Sequence, residues 1–169
     1  MQTFKAHALK QAGWKKWVIL LAIYSGARRG EIVKFLKDGI KEEQGINYFE
    51  LKEGKSPNAV RKIPVHEQLI KAGILNLKPV VVDAKPITDY ANKLRDELKI
   101  PKNDVDDNKR VFHAFRHTFI TKSVSKSNTI QLVQELVGHS KLIGQTAVYV
   151  HKISLVDLQP VVDSVIYSD

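Results

Sequence analysis

Trp17-Val18-Ile19-Leu20-Leu21-Ala22-Ile23-Tyr24 is an unbroken apolar run, and it constrains the fold more than any other stretch of the chain. With Trp14, its large side chains recur at helical spacing, so it reads as a largely buried helix that ends near Gly26. The run is far shorter than the roughly 20 residues a helix needs to cross a bilayer, so it is core. A length of 169 residues suffices for one domain with a real core. The N-terminus shows no apolar leader with a small-residue cleavage site. No cysteine is present, which removes disulfides, thiolate metal sites and thiol redox chemistry. A cytoplasmic protein is expected.

Around this helix the pattern alternates between two kinds of element. A short helix from about Arg29 to Leu36 is expected after the Ser25-Gly26 break. Gly45 to Leu51 has β-type composition, 53–58 reads as a turn, and Val60 to Val65 as the returning strand, with Pro64 marking its end. Residues 65–72 read as helical, Pro79 to Val82 as a short strand, and Thr88 to Leu98 as a helix behind Pro86. The polar stretch 99–109 is a loop. Helices are expected at about 113–126, 129–138 and 144–151, and a last amphipathic stretch at 154–166. The fold class is α+β, mostly α, with one small antiparallel hairpin or sheet on an edge.

Lys and Arg number 27 against 18 acidic residues, a net charge of +9. The surplus is uneven: residues 1–65 hold 13 Lys/Arg and 6 Asp/Glu, a difference of +7. A polyanionic partner fits, because each neutralised phosphate releases condensed counterions. A basic protein without such a partner is the lesser alternative, and composition does not decide between the two. Arg28 and Glu31 stand three apart at a helix start, so the carboxylate can hold the guanidinium while it presents its fork to phosphate oxygens. Taken alone the two make an ordinary surface ion pair. His113 and Arg116 share a helix face and can grip one phosphate, the imidazole donating a hydrogen bond or moving a proton. His117 points further round and reads as a satisfied structural histidine. Four of the six histidines (His113, His117, His139 and His151) lie in the last third, yet their spacing matches no metal motif. Lys52 and Lys55 flank the hairpin turn, from which a lysine reaches a leaving group. Tyr149 is a weak nucleophile until its phenolate is stabilised, and a tyrosine at helical spacing is otherwise a core residue.

The order of these segments carries more than any one of them. Ser25-Gly26-Ala27-Arg28-Arg29-Gly30-Glu31, His113-Ala114-Phe115-Arg116-His117-Thr118-Phe119, Val137-Gly138-His139-Ser140 and Thr146-Ala147-Val148-Tyr149-Val150-His151 resemble, in sequence order, the boxes of the tyrosine recombinase (phage integrase) catalytic domain. Lys55, with Arg61-Lys62-Ile63-Pro64, is similar to that family's lysine-bearing hairpin. Three departures stand out. Ser25 replaces a threonine, the His139-to-Tyr149 gap is one residue longer than the commonest spacing, and Lys52 competes with Lys55.

The resemblance implies a catalytic domain over 1–152 and a tail over 153–169 that packs in cis or on a neighbouring protomer. The helical domain that usually precedes the catalytic one and clamps DNA is expected to lie outside these residues. It implies site-specific cleavage and rejoining of double-stranded DNA through a 3′-phosphotyrosyl link, integrating or excising a phage or other mobile element. Arg28 and Arg116 would bind the scissile phosphate, with His113 and His139 adding hydrogen bonds. Lys55 would protonate the leaving 5′-oxygen, Tyr149 would be the nucleophile, and Glu31 would orient without reacting. No metal or cofactor is implied. The implied partners are DNA, further copies of the chain in a tetramer, and accessory DNA-bending proteins, in a nucleoid-associated prokaryotic or viral setting without membrane. A topoisomerase-like enzyme and a catalytically silent DNA-binding module are the alternatives.

Overall fold

The computed structural model describes residues 1–53, 59–103, 112–126, 130–139 and 153–167. Three helices open the chain: α1 (Gln2–Leu9), α2 (Gly13–Ser25) and α3 (Arg29–Asp38). Strands β1 (Lys41–Glu43), β2 (Ile46–Leu51) and β3 (Arg61–Pro64) form an antiparallel sheet in that order. Then come α4 (Glu67–Lys71), a 3-10 turn at Ile74–Asn76, α5 (Ala84–Glu97), α6 (His113–Lys126), α7 (Ile130–Val137) and α8 (Leu155–Asp163). The class is α+β and mostly helical, as the sequence pattern implies.

Every residue of α2 from Trp17 to Ser25 is buried, because α1, α3, α4, α5 and α6 all pack on it. A helix apolar all round has no face to give to water, so the other helices surround it. It stops at Gly26, which takes the left-handed conformation with φ of 62°. A Cβ built on Gly26 would lie 2.4 Å from Cδ1 of Phe119, so α6 approaches this turn as closely as a glycine permits. The sheet packs its apolar side inward: Phe49 stacks on Phe35 of α3 with ring centroids 4.4 Å apart, and Ile63 and Leu51 are buried beside them.

α8 starts at a capping box, Ser154 Oγ accepting from the Asp157 N–H at 3.2 Å while Asp157 Oδ2 accepts from the Ser154 N–H at 3.0 Å. Leu158, Val161 and Val162 pack into the core against β3 and α7. Beyond it, the buried His66 ring bonds the Val165 carbonyl through Nε2 at 3.0 Å. Nδ1 of the same ring accepts from the Gln68 N–H at 3.0 Å, which caps α4 and assigns the proton to Nε2. The Tyr167 hydroxyl donates to the Ile23 carbonyl of α2 at 3.2 Å.

Two expectations from the sequence are corrected. Residues 79–82 are not a strand: Val80 donates one backbone bond to the Leu36 carbonyl at 2.7 Å and Val81 is 83% exposed. Apolar β-branched residues without a neighbouring strand to pair with stay irregular. α5 begins at Ala84, so Pro86 lies inside its first turn, where the missing N–H has no helical acceptor to lose. α1 and β1 carry no clear pattern in the sequence: α1 buries only Ala8 fully, and all of β1 is exposed.

Candidate active site

Four side chains from α3, β3 and α6 converge where α2 and α7 end. Arg28 is the N-cap of α3, and Glu31 folds back on it: Oε2 accepts from the Arg28 N–H at 2.7 Å and Oε1 from its guanidinium at 3.0 Å. Arg28 remains 44% exposed, whereas Glu31 is at 13%, so the carboxylate lies beneath and the guanidinium faces out. This is the contact the spacing of three suggests. Glu31 has a second partner, however. Arg61 of β3 donates to Oε2 at 3.0 Å, and its side chain is only 1% exposed.

Arg61, quoted in the sequence as part of the hairpin pattern but given no role in the site, belongs to it. Its Nε donates to the Leu136 carbonyl at 2.8 Å and its Nη1 to the Ala59 carbonyl at 3.2 Å. One guanidinium therefore ties together the return arm of the hairpin, the Glu31 carboxylate on α3 and the last turn of α7. The signal was present in strand alternation: Arg61, Ile63 and Val65 share the inward face, so an arginine occupies a core position of β3.

Arg116 of α6 is 2% exposed and spans two helix ends. Its Nη1 donates to the Gly26 carbonyl at 2.6 Å and its Nη2 to the Val137 carbonyl at 2.5 Å. Carbonyls at a helix C-terminus lack intrahelical donors and carry the negative end of the macrodipole, so they suit a cation. Burial, followed by repulsion from Arg28, lowers the Arg116 guanidinium to about 10, with Glu31 opposing and Arg61 adding. It is still a cation at neutral pH. Glu31 is lowered as well: burial would raise it, but Arg61 and Arg28 together hold it below the ordinary carboxylate range.

His113 opens α6 and His139 follows Gly138 at the end of α7; both are exposed. Each imidazole lies below its ordinary pKa. For His113 the causes are desolvation, then His117, Arg116, Arg28 and His139. For His139 they are desolvation, then Arg116, Arg28, Arg61 and His117. The two rings thus share one electropositive neighbourhood and are neutral at pH 7, each with one donor and one acceptor nitrogen. His117 is corrected from a satisfied structural histidine: it is exposed and sits edge-on to His113, ring centroids 4.7 Å apart. Lys52 is 71% exposed and lies 4.0 Å from the Glu50 carboxylate, just beyond the end of the central strand β2. Lys55 and Tyr149 lie outside the described residues. Among the described residues no group of three or more His, Asp or Glu side chains is placed to hold a metal.

Of the residues singled out in the sequence, the structure thus brings Arg28, Glu31, Arg116, His113 and His139 into one neighbourhood and adds Arg61. A sequence model of the phage integrase family matches residues 1–154, a span that contains all six. The chain belongs to the phage integrase family. The match also covers Lys55 and Tyr149. Among its relatives, a protein named tyrosine recombinase XerC-like from Caldanaerobacter subterraneus subsp. tengcongensis is 26% identical over 199 residues, covering 90% of this chain and 48% of that protein. The integrase of Escherichia phage P2 is 28% identical over 139 residues, covering 82% of this chain and 38% of that integrase. The chain therefore spans about half the length, or less, of these curated relatives. No solved structure matches it. No described helix is long and apolar enough to cross a membrane.

Proposed function

We propose that the chain is the catalytic domain of a tyrosine-type site-specific DNA recombinase, and that it cleaves one strand at a time through a covalent 3′-phosphotyrosyl intermediate. The observation that carries this reading is the charge balance of the braced cluster. Arg28, Arg61 and Arg116 supply three positive charges against one negative charge on Glu31, a surplus of two. A phosphodiester carries one negative charge, and its pentacoordinate transition state develops a second. A fixed surplus of two is therefore better matched to the transition state than to bound DNA, which is the condition for catalysis by differential binding.

In this mechanism Arg28 and Arg116 hold the non-bridging oxygens of the scissile phosphate. Tyr149 attacks the phosphorus in line with the departing 5′-oxygen. The phenol proton passes to the neutral imidazole of His113, the P–O5′ bond breaks, and Lys55 donates a proton to the 5′-oxygen. His139 adds a hydrogen bond to the phosphate. The phosphotyrosyl link keeps the energy of the broken bond, so attack by another 5′-hydroxyl reseals DNA without an external energy source. The partner is double-stranded DNA. Assembly of several copies on DNA, accessory DNA-bending proteins and a role in moving a phage or other mobile element belong to the same proposal.

Incubation with a nicked suicide duplex tests the reading. The wild-type chain is expected to give a covalent protein–DNA band that survives denaturing electrophoresis, and Tyr149→Phe is expected to bind the duplex without forming it. An adduct that persists in Tyr149→Phe would refute the assignment. Binding by the wild type with no adduct would favour a silent DNA-binding module, whereas relaxation of supercoils without strand exchange would favour a topoisomerase-like enzyme.

A further inference from the structure

We infer that Arg61 is a positioning residue for strand cleavage: through Glu31 and the Leu136 carbonyl it holds Arg28 and the Gly138-His139 turn in register with Arg116, without touching the phosphate. This rests on the recombinase reading above and extends it to a residue outside the groups that contact DNA.

Three observations support it. All three guanidinium nitrogens already donate within the protein, Nε to Leu136, Nη1 to Ala59 and Nη2 to Glu31, so the fork is committed to these acceptors. Its hydrogen bonds run to three separate pieces of chain: Ala59 on the hairpin arm, Glu31 on α3 and Leu136 on α7. Two of those pieces carry site groups on the very next contact. Glu31 passes the constraint to Arg28 through its own bonds to the Arg28 N–H and guanidinium. Leu136 precedes Val137, whose carbonyl holds Arg116, and His139 follows two residues later with its N–H bonded to the Gln134 carbonyl at 3.1 Å.

Consecutive carbonyls at the end of α7 thus accept from the two buried arginines, one from β3 and one from α6. The distance between Arg61 and Arg116 is set by the helix end itself. The planar fork of arginine is what allows one group to serve three acceptors; a lysine ammonium has the charge but cannot span them. The hairpin arm is also the return strand from Lys55. Seating of the hairpin and orientation of Arg28 are therefore one structural event.

The test compares wild type, Arg61→Lys and Arg61→Met, with Arg28→Ala as the phosphate-contact reference. Single-turnover cleavage of the nicked duplex, DNA affinity over a range of salt, and thermal melting are measured on each. Both Arg61 variants are expected to melt cooperatively, to bind DNA with the wild-type salt dependence, and to cleave roughly 10- to 100-fold more slowly, the loss that a misplacement of about 1 Å produces. Arg28→Ala is expected to lower the slope of log affinity against log salt by about 1. The pH profile adds a readout that a structural role would not move. Loss of the Arg61 charge is expected to shift the acid limb of cleavage upward in Arg61→Met, where His139 loses a neighbouring cation, and to leave it in place in Arg61→Lys. Wild-type cleavage rates in both variants would overturn the proposal, as would a salt slope reduced like that of Arg28→Ala. Loss of the folded state in both variants would also overturn it, by making Arg61 a residue of the fold alone. If the wild type itself forms no adduct, it is the recombinase reading that fails, and the Arg61 comparison is then judged on the salt slope and melting alone, where a reduced slope or unfolding still refutes it.

Discussion

Substituting Gly26 by alanine perturbs one atom at the point where the core and the site meet. Two costs can be worked from the structure. The backbone has φ of 62°, and an L-residue in the left-handed region costs about 1–2 kcal/mol relative to glycine. The new methyl group would also stand 2.4, 2.8 and 3.0 Å from Cδ1, Cε1 and Cγ of Phe119. Phe119 is fully buried and its ring has no free side to turn to, so relief requires α6 to shift, an overpacking cost of about 1–3 kcal/mol. The sum is about 2–5 kcal/mol, and for a domain of this size a loss of 1 kcal/mol lowers the melting temperature by roughly 2–4 °C. Gly26→Ala should thus melt roughly 4–20 °C below wild type by differential scanning calorimetry. The neighbouring Gly30 supplies the opposite sign. It lies in the first turn of α3 with nothing within 4 Å of a built Cβ, so Gly30→Ala should stabilise by up to about 1 kcal/mol. Because the Gly26 carbonyl also holds Arg116, Gly26→Ala should slow single-turnover cleavage even at temperatures where it is still folded, whereas Gly30→Ala should leave the Arg116 brace intact. A Gly26→Ala protein that melts within about 1 °C of wild type would refute the packing argument, since either cost alone exceeds that shift.

Arg116→Ala should reduce cleavage by roughly 10²–10³-fold, about 3–4 kcal/mol of transition-state stabilisation, with a smaller effect on DNA affinity; a parallel fall in both would make Arg116 a docking residue. His66 gives a prediction for acid stability. Burial chiefly lowers its pKa, with the Val165 carbonyl and then Asp163 opposing, so the folded state holds a neutral ring whose Nδ1 must accept from Gln68. Its contribution is complete above the unfolded imidazole value near 6.5 and is lost as pH falls through the lower folded value. Denaturant midpoints measured across that window should fall for wild type and stay flatter for His66→Asn, whose side-chain oxygen can replace the acceptor without titrating; equal slopes would exclude His66 as the cause.

The parts of this fold that were legible in the sequence are those whose cause is local. α2 is announced by its apolar run, its end by Gly26, and α6 and α7 by their spacing. Arg28 and Glu31 could be paired from three residues of sequence. Long-range causes left no such mark. The polar strand β1 exists because β2 offers it an edge, pairing Glu42 with Asn47. The valines at 80–82, with better β propensity, have no edge to join. Arg61 shows in the sequence only as part of a hairpin pattern, because its partners come from 30 and 75 residues away and meet it once β3 is docked. His117 carries the same limit: its neighbour four residues back was visible, but which side of α6 faces water was set by the packing of Phe115 and Phe119.

The carbonyl bonds of the two buried arginines have a consequence for how the protein is made. Arg116 meets the Gly26 carbonyl across 90 residues, Arg61 meets Leu136 across 75, and Tyr167 meets Ile23 across 144. Contacts of such separation close late, because the intervening chain must lose its freedom before they contribute. Helices such as α2 can form early from local contacts alone, whereas three guanidiniums would repel one another until Glu31 and the helix-end carbonyls are there to receive them. A chain still on its way to the native state therefore has no assembled cationic cluster to offer DNA. Competence for cleavage would be the last property acquired in folding and, on local unfolding, the first one lost.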